Sequence, residues 1–180
     1  MNTNGQEGIR LVGSSGSTIR AASLIDNGWT GVAIQDEPSY PATGNLIDVP
    51  ANYDNVSLHI DLGNDGQTRN GSHSPPGPNN WLKYPQISFI SGNNVARYAC
   101  ALCSVVIYQS VGDPSAQGGG VDMKITSVTA DVGGYWDVDL TSFGIAPNQI
   151  ALLAVDPATG DTSEFAPLAW ARVYLPLTNK

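Results

Sequence analysis

Two cysteines three residues apart, Cys100 and Cys103, lie in the run Ala-Arg-Tyr-Ala-Cys-Ala-Leu-Cys-Ser-Val-Val-Ile-Tyr. That spacing can supply half of a zinc site or a redox pair. Zinc would need two further ligands, and the chain holds only two histidines, His59 and His73, at irregular spacing. Read as a strand, the run points residues three apart to opposite faces, so the two sulfurs share neither a metal nor a bond. Two small, reduced, core-type side chains are the expectation.

The histidines offer little more. Ser-His-Asp chemistry needs an imidazole held between a hydroxyl and a carboxylate. Ser72-His73-Ser74 has the hydroxyls but no Gly-x-Ser-x-Gly elbow to expose one, so His73 reads as part of a solvated turn. His59 shares a strand face with Ser57 and Asp61, which reads as a stripe facing solvent. Paired carboxylates could hydrolyse a glycoside, but the three glutamates, Glu7, Glu37 and Glu164, sit in turn-like contexts. Asp137 and Asp139 lie on one strand face about 7 Å apart, a spacing that suits a cation or a hydrated surface as well as catalysis. Asp61 to Gly66 opens like a calcium-binding EF-hand loop, yet Gly63 and Ser72 stand where two of its ligands belong, so a hairpin turn is expected. No catalytic residue, metal or cofactor is assigned.

Aromatic residues carry the remaining signal. Trp81 and Tyr84, with Asn79 and Asn80 beside them, form the combination that stacks a sugar ring and fixes its hydroxyls. The same rings could instead pack their loop onto the body of the protein.

The elements that would position these residues read as strands and turns. Gly (20) and Pro (12) are plentiful while only 13% of residues are charged, far fewer than surface helices need. Residues 55–62 alternate, with Val56, Leu58, Ile60 and Leu62 on one face. Further strands are expected at 8–12, 17–25, 29–34, 46–49, 86–91, 121–131, 135–140, 149–156 and 168–175. Residues 95–110, almost continuously apolar, read as one central strand buried on both faces and broken by a bulge. Gly133-Gly134 reads as a tight hairpin into 135–140, where Trp136, Val138 and Leu140 share a face. A short helical turn is expected near 141–144. About ten strands at this spacing describe an all-β fold, a β-sandwich of jelly-roll or immunoglobulin-like kind. No internal repeat of fixed period is visible.

Residues 1–8 read as a polar N-terminal arm and 9–180 as one sandwich domain. If the chain has two lobes, they divide in the Pro-rich stretch 63–85, expected to be an ordered surface loop because Trp81 and Tyr84 carry too much apolar surface to leave in water. The net charge of −8 excludes nucleic acid as a partner, since a phosphate backbone is held by clustered Lys and Arg. No apolar run is long enough to cross a membrane as a helix, and the first sixteen residues do not read as a signal peptide.

Residues 131–163, with Gly133-Gly134-Tyr135-Trp136-Asp137-Val138-Asp139-Leu140 and later Ala154-Val155-Asp156-Pro157-Ala158-Thr159-Gly160, resemble the closing half of a bacterial immunoglobulin-like domain. In overall style the chain is similar to accessory proteins of tailed-phage particles, the head-decoration (cement) and tail or collar components. That resemblance implies a non-enzymatic structural protein, made in the host cytoplasm and resident in the virion, that binds capsid or tail subunits and forms a homo-oligomer, a trimer above all. It also implies a contact arm, for which Met1, Asn2, Thr3 and Asn4, followed by Ile9 and Leu11 as an added strand, are the candidates. The alternative is a carbohydrate- or receptor-binding module using Trp81 and Tyr84.

Overall fold

The computed structural model of the chain describes residues 4–20, 23–48, 51–112 and 120–167. Its regular elements there are strands, apart from short 3-10 turns at Pro78–Trp81, Thr141–Phe143 and Pro147–Gln149. The fold is all-β, with several sheets packed over common cores, and the helical turn falls where the sequence places it.

The first third of the chain winds in stacked rungs. β1 (Ile9–Val12), β2 (Thr18–Arg20) and β3 (Leu24–Ile25) make one rung. β4 (Val32–Gln35), β5 (Leu46–Asp48) and β6 (Asn52–Tyr53) make the next, and β7 (Ile60–Leu62) opens a third. β1, β4 and β7 pair in parallel, as do β2 with β5 and β3 with β6. Strands that step from wall to wall in chain order and stack on their successors form a short parallel solenoid. A step of 28 residues recurs in its cross-rung hydrogen bonds. Asp26-Asn27 and Asp54-Asn55 stand one step apart, and both aspartates have left-handed backbone, φ 55° and 56°. Gly16 and Gly44 repeat in the same way, each at φ 70°. The chain therefore does contain a repeat, written in turn residues and not in apolar ones.

Polar ladders hold the corners. The Ser17 N–H donates to Asn45 Oδ1 (3.0 Å), and the Asn27 N–H and Nδ2 both donate to Asn55 Oδ1 (3.1 and 2.7 Å). Asn27, Asn45 and Asn55 are buried. Two of these bonds satisfy backbone donors, each of which would otherwise cost about 1–3 kcal/mol.

The rest of the described chain is antiparallel. β8 (Gln86–Ser91), β9 (Asn94–Tyr98) and β12 (Tyr135–Asp139) form one sheet in the order β12-β9-β8. β10 (Ser104–Ser110), β11 (Gly120–Thr129) and β13 (Ile150–Val155) form another, which continues through β6 into β3. Its strands β10 and β13 are buried on both sides. Val105 and Ile107 join Val95, Trp136, Val138 and Leu140 in one core. Val106 and Tyr108 join Val32, Ile34, Ile60, Leu62 and Phe165 in the other. Alternate residues of β10 thus fasten the sandwich to the solenoid, each large apolar side chain contributing about 1.5–3 kcal/mol by burial.

Several expectations need correction. Residues 95–110 are two strands in two sheets, and the break between them is a turn, not a bulge. At Gly133-Gly134 the turn closes tightly, with the Asp131 N–H bonded to Tyr135 O (2.8 Å), but β11 and β12 then part into different sheets. The regular strand in 55–62 spans only Ile60–Leu62, and its polar face does not meet solvent. His59 and Asp61 are buried, His59 beside Asn55 Nδ2 (3.0 Å) and Asp61 accepting the N–H groups of Asp65 and Gly66 (3.2 and 3.1 Å). Asn64 and Gly66 adopt the positive φ expected of a turn, but β7 has no partner beyond that turn, so no hairpin forms.

Part of the expected contact arm has partners within the chain. Asn4 bridges Asn27, the Trp29 N–H donates to Gln6 O (3.3 Å), and Ile9 and Leu11 pair with Val32 and Ile34 in the same chain. The stretch 4–12 belongs to the first rung of the solenoid, with β1 at the edge of its sheet. Met1, Asn2 and Thr3, like the strand expected at 168–175, lie outside the described residues.

Candidate functional site

Loop 63–85 connects the solenoid to the sandwich, and side chains pin it at both ends. Asn79 is buried: its Oδ1 accepts the Asn45 N–H (3.0 Å), and its Nδ2 donates to Asn45 O (2.8 Å) and Thr162 O (2.9 Å). This repeats one rung further on the bond that Ser17 makes to Asn45. Asn80 Nδ2 donates to Asp161 Oδ2 (2.7 Å). Asn79, Asn80 and Trp81 occupy three consecutive left-handed positions, φ 42°, 50° and 51°. Asparagine tolerates this region; a tryptophan there is strained by about 1–3 kcal/mol and persists because its surroundings fix it.

Those surroundings are specific. A Cβ at Gly77 would lie 1.7 Å from Trp81 Nε1, and one at Gly63 3.0 Å from the far edge of the indole. His73 stacks on Trp81 with ring centroids 4.3 Å apart and planes 19° from parallel. Asn70 aligns the end of the loop, donating from Nδ2 to Tyr84 O (2.9 Å) and accepting the Tyr84 N–H on Oδ1 (3.1 Å).

The result is a cleft of about 660 Å³ between this loop and the end of β9. Trp81, Tyr84, His73 and Tyr98 give its aromatic walls, and Asn80, Gln86 and Lys83 its polar groups. Tyr98 is half exposed, meets Tyr135 edge-on at 6.1 Å and carries the Arg97 guanidinium 5.8 Å from its ring centre. A concave, mostly apolar site with a few convergent polar groups is the usual form of a small-ligand pocket.

Cys100 forms part of the cleft rim, and the geometry overturns the expectation of two free thiols. Residues 99–103 form a turn, with the Cys103 N–H donating to Cys100 O (3.2 Å) and Leu102 at φ 59°. A turn brings together residues that a strand would separate, so the Cα atoms are 5.3 Å apart and a disulfide joins Cys100 to Cys103.

Of the four residues singled out in the loop, Asn80, Trp81 and Tyr84 line the cleft, while Asn79 stands behind it with its side chain committed to the fold. Sequence reading missed Tyr98, which is contributed by a strand of the other sheet, and the part of His73 that covers Trp81. Neither has a local sequence signal.

Beneath the cleft, Glu164 is buried and accepts the N–H groups of Leu62 (2.9 Å) and Thr68 (2.8 Å). Burial pushes its carboxyl up to about 8, against the pull of those two bonds, and the neighbouring Asp61 adds to the rise. Asp61 is itself raised to about 6 by burial. Both oxygens of Glu164 serve the backbone, so it joins the solenoid end to the loop; Asp161 and Thr162 act similarly on the N–H groups of Gly44 (2.6 Å) and Ile47 (2.9 Å). Among the described residues no three His, Cys, Asp or Glu side chains gather as a metal site, and no helix is long and apolar enough to cross a membrane. Comparison with family models, curated proteins and solved structures finds no match for this chain.

Proposed function

We propose that this chain is a non-enzymatic attachment protein that holds a glycan or glycan-bearing receptor in the cleft of Trp81, Tyr84 and Tyr98. The observation that carries the reading is the strained, cross-braced turn that presents Trp81. A chain that spends backbone strain and three buried amide bonds on fixing one aromatic side chain at the mouth of a cleft is organised for recognition. The disulfide on the rim supports a place of work outside the reducing cytosol, on a particle or cell surface. A glycan array read with the wild-type chain and with Trp81→Ala tests it. Binding to a defined glycan class, lost in the variant, is expected; an array without hits would end the reading.

A second reading, a structural component seated among capsid or tail subunits of a virus particle, is favoured by a separate observation. Trp29 and Val56, each more than half exposed, share one shallow depression with Ser57 and Gly66, Phe89 is exposed to a similar extent, and Tyr40 and Val132 are more exposed still. Apolar surface of this kind on a chain with few charges suits a subunit interface. Light scattering and co-sedimentation with capsids or tails test it. A monodisperse monomer without affinity for either would remove this reading and leave the cleft untouched.

A further inference from the structure

We infer that the ring accepted by the cleft carries a carboxylate, so that the ligand class is an acidic saccharide (a uronic or nonulosonic acid) and not a neutral one. The inference rests on the cleft being the binding surface proposed above, and it goes further by naming the chemistry of the ligand.

The argument is one of charge placement. The chain carries 16 acidic and 8 basic residues. Among the described residues no Asp or Glu lines the cleft, whereas Lys83 and His73 do. Two guanidinium groups stand close by. Arg97 lies over the Tyr98 ring and lines the adjoining hollow with Tyr84 and Gln86. Arg69 lines the small cavity beneath, together with His73, Trp81 and Tyr84. Of the eight Lys and Arg side chains, Lys83 therefore lines the cleft itself and Arg69 and Arg97 line hollows that share Tyr84 with it, in a protein whose net charge is −8.

Two carboxyls behind this concavity are withdrawn from it, and the exposed Asp65 reaches the far edge of the Trp81 indole without lining the cleft. Asp161, behind Asn80, is buried, with its oxygens taken by Asn80 Nδ2 and the Gly44 N–H. Glu164 is buried, held by two N–H groups, and neutral at pH 7 because burial raises its carboxyl to about 8. Low-dielectric walls focus the field of the remaining cations into the cleft, where an anionic ring would be drawn in and a neutral one would not. Tyr84 and Tyr98 offer ring faces beside the His73–Trp81 stack, Asn80 and Gln86 offer amides for hydroxyls, and Lys83 is the cation placed to meet the carboxylate.

The test uses matched probes and the full chain in calorimetric titrations: 3′-sialyllactose against lactose, and trigalacturonate against its methyl ester, which keeps the ring and removes the charge. At least one acidic probe is expected to bind tenfold or more tightly than its neutral counterpart. That preference should fall towards unity in Lys83→Gln and at 0.5 M salt. Lys83 is exposed, so its replacement leaves the fold intact. A neutral member that binds as well as its acidic counterpart overturns the inference while the cleft reading stands. An acidic preference indifferent to Lys83→Gln and salt overturns it too, because the carboxylate is then read elsewhere. Absence of binding by every saccharide, acidic or neutral, overturns both.

Discussion

The backbone N–H of Asn45 donates to Oδ1 of Asn79 at 3.0 Å, as the N–H of Ser17 does to Oδ1 of Asn45 at 3.0 Å. The turn that carries Trp81 is thus built as a further corner of the solenoid, and the cleft inherits its rigidity from the rungs below. Replacing Asn79 removes three buried bonds and puts a residue less tolerant of left-handed backbone at φ 42°. Asn79→Ala is expected to lose about 3 kcal/mol in urea unfolding. A loss below about 1 kcal/mol would show that the corner is not what holds the loop.

Gly77 tests the placement of Trp81 without touching the backbone. Its φ of 169° is open to any residue, so the only obstacle to a side chain is the indole at 1.7 Å. Gly77→Ala should keep the fold, at a cost of about 1–3 kcal/mol, and displace the ring. The near-ultraviolet circular dichroism and the emission maximum of Trp81 report the displacement. Unchanged spectra would contradict the proposed contact.

The two raised carboxyls make stability depend on pH in a definite direction. Glu164 holds its proton in the fold up to about 8, against 4.5 for a free side chain, so the folded state binds more protons across that interval. The associated stability is complete below pH 4.5 and declines as pH rises towards 8; Asp61 acts in the same sense between 3.8 and about 6. Glu164→Gln cannot ionise. Its stability relative to wild type should therefore improve by more than about 1 kcal/mol between pH 5 and pH 8. Parallel pH profiles for the two proteins would refute the assignment.

How much of this could be read from the sequence differs from element to element. Strand 135–140 was legible because Trp136, Val138 and Leu140 alternate with Tyr135, Asp137 and Asp139 and are all buried. The solenoid was not, because its period resides in Asp26-Asn27 and Asp54-Asn55 and in Gly16 and Gly44, single residues in two copies separated by unlike loops. His59 and Asp61 were misplaced for a related reason. Alternation predicts two faces, but a strand inside a multilayered core has no solvent face, and local polar partners make such burial tolerable. The disulfide was missed because 95–110 read as one strand, while Leu102 in a left-handed turn bends the chain between two sheets. Trp81 and Tyr84 were found from composition alone; Tyr98 joins them through tertiary packing.

Reduction of Cys100–Cys103 should be mild. A closed loop of four residues contributes only about 2 kcal/mol through chain entropy. Unfolding with and without dithiothreitol, with Cys100→Ser/Cys103→Ser as the reference, is expected to differ by that amount and no more. Global unfolding on reduction would mean that the turn holds the two sheets together, which the shared core of Val95, Val105 and Trp136 argues against.

The most direct measurement is the affinity of the tightest-binding array glycan for wild type and for Tyr98→Ala, determined by calorimetry. Tyr98 stands half exposed at the end of β9 and faces the cleft from the side opposite the loop, so its removal leaves the fold standing. A loss of tenfold or more, about 1.4 kcal/mol, is the predicted result. Equal affinity in the two proteins, with both folded, would contradict the account, because the ligand would then be held somewhere other than between Trp81 and Tyr98.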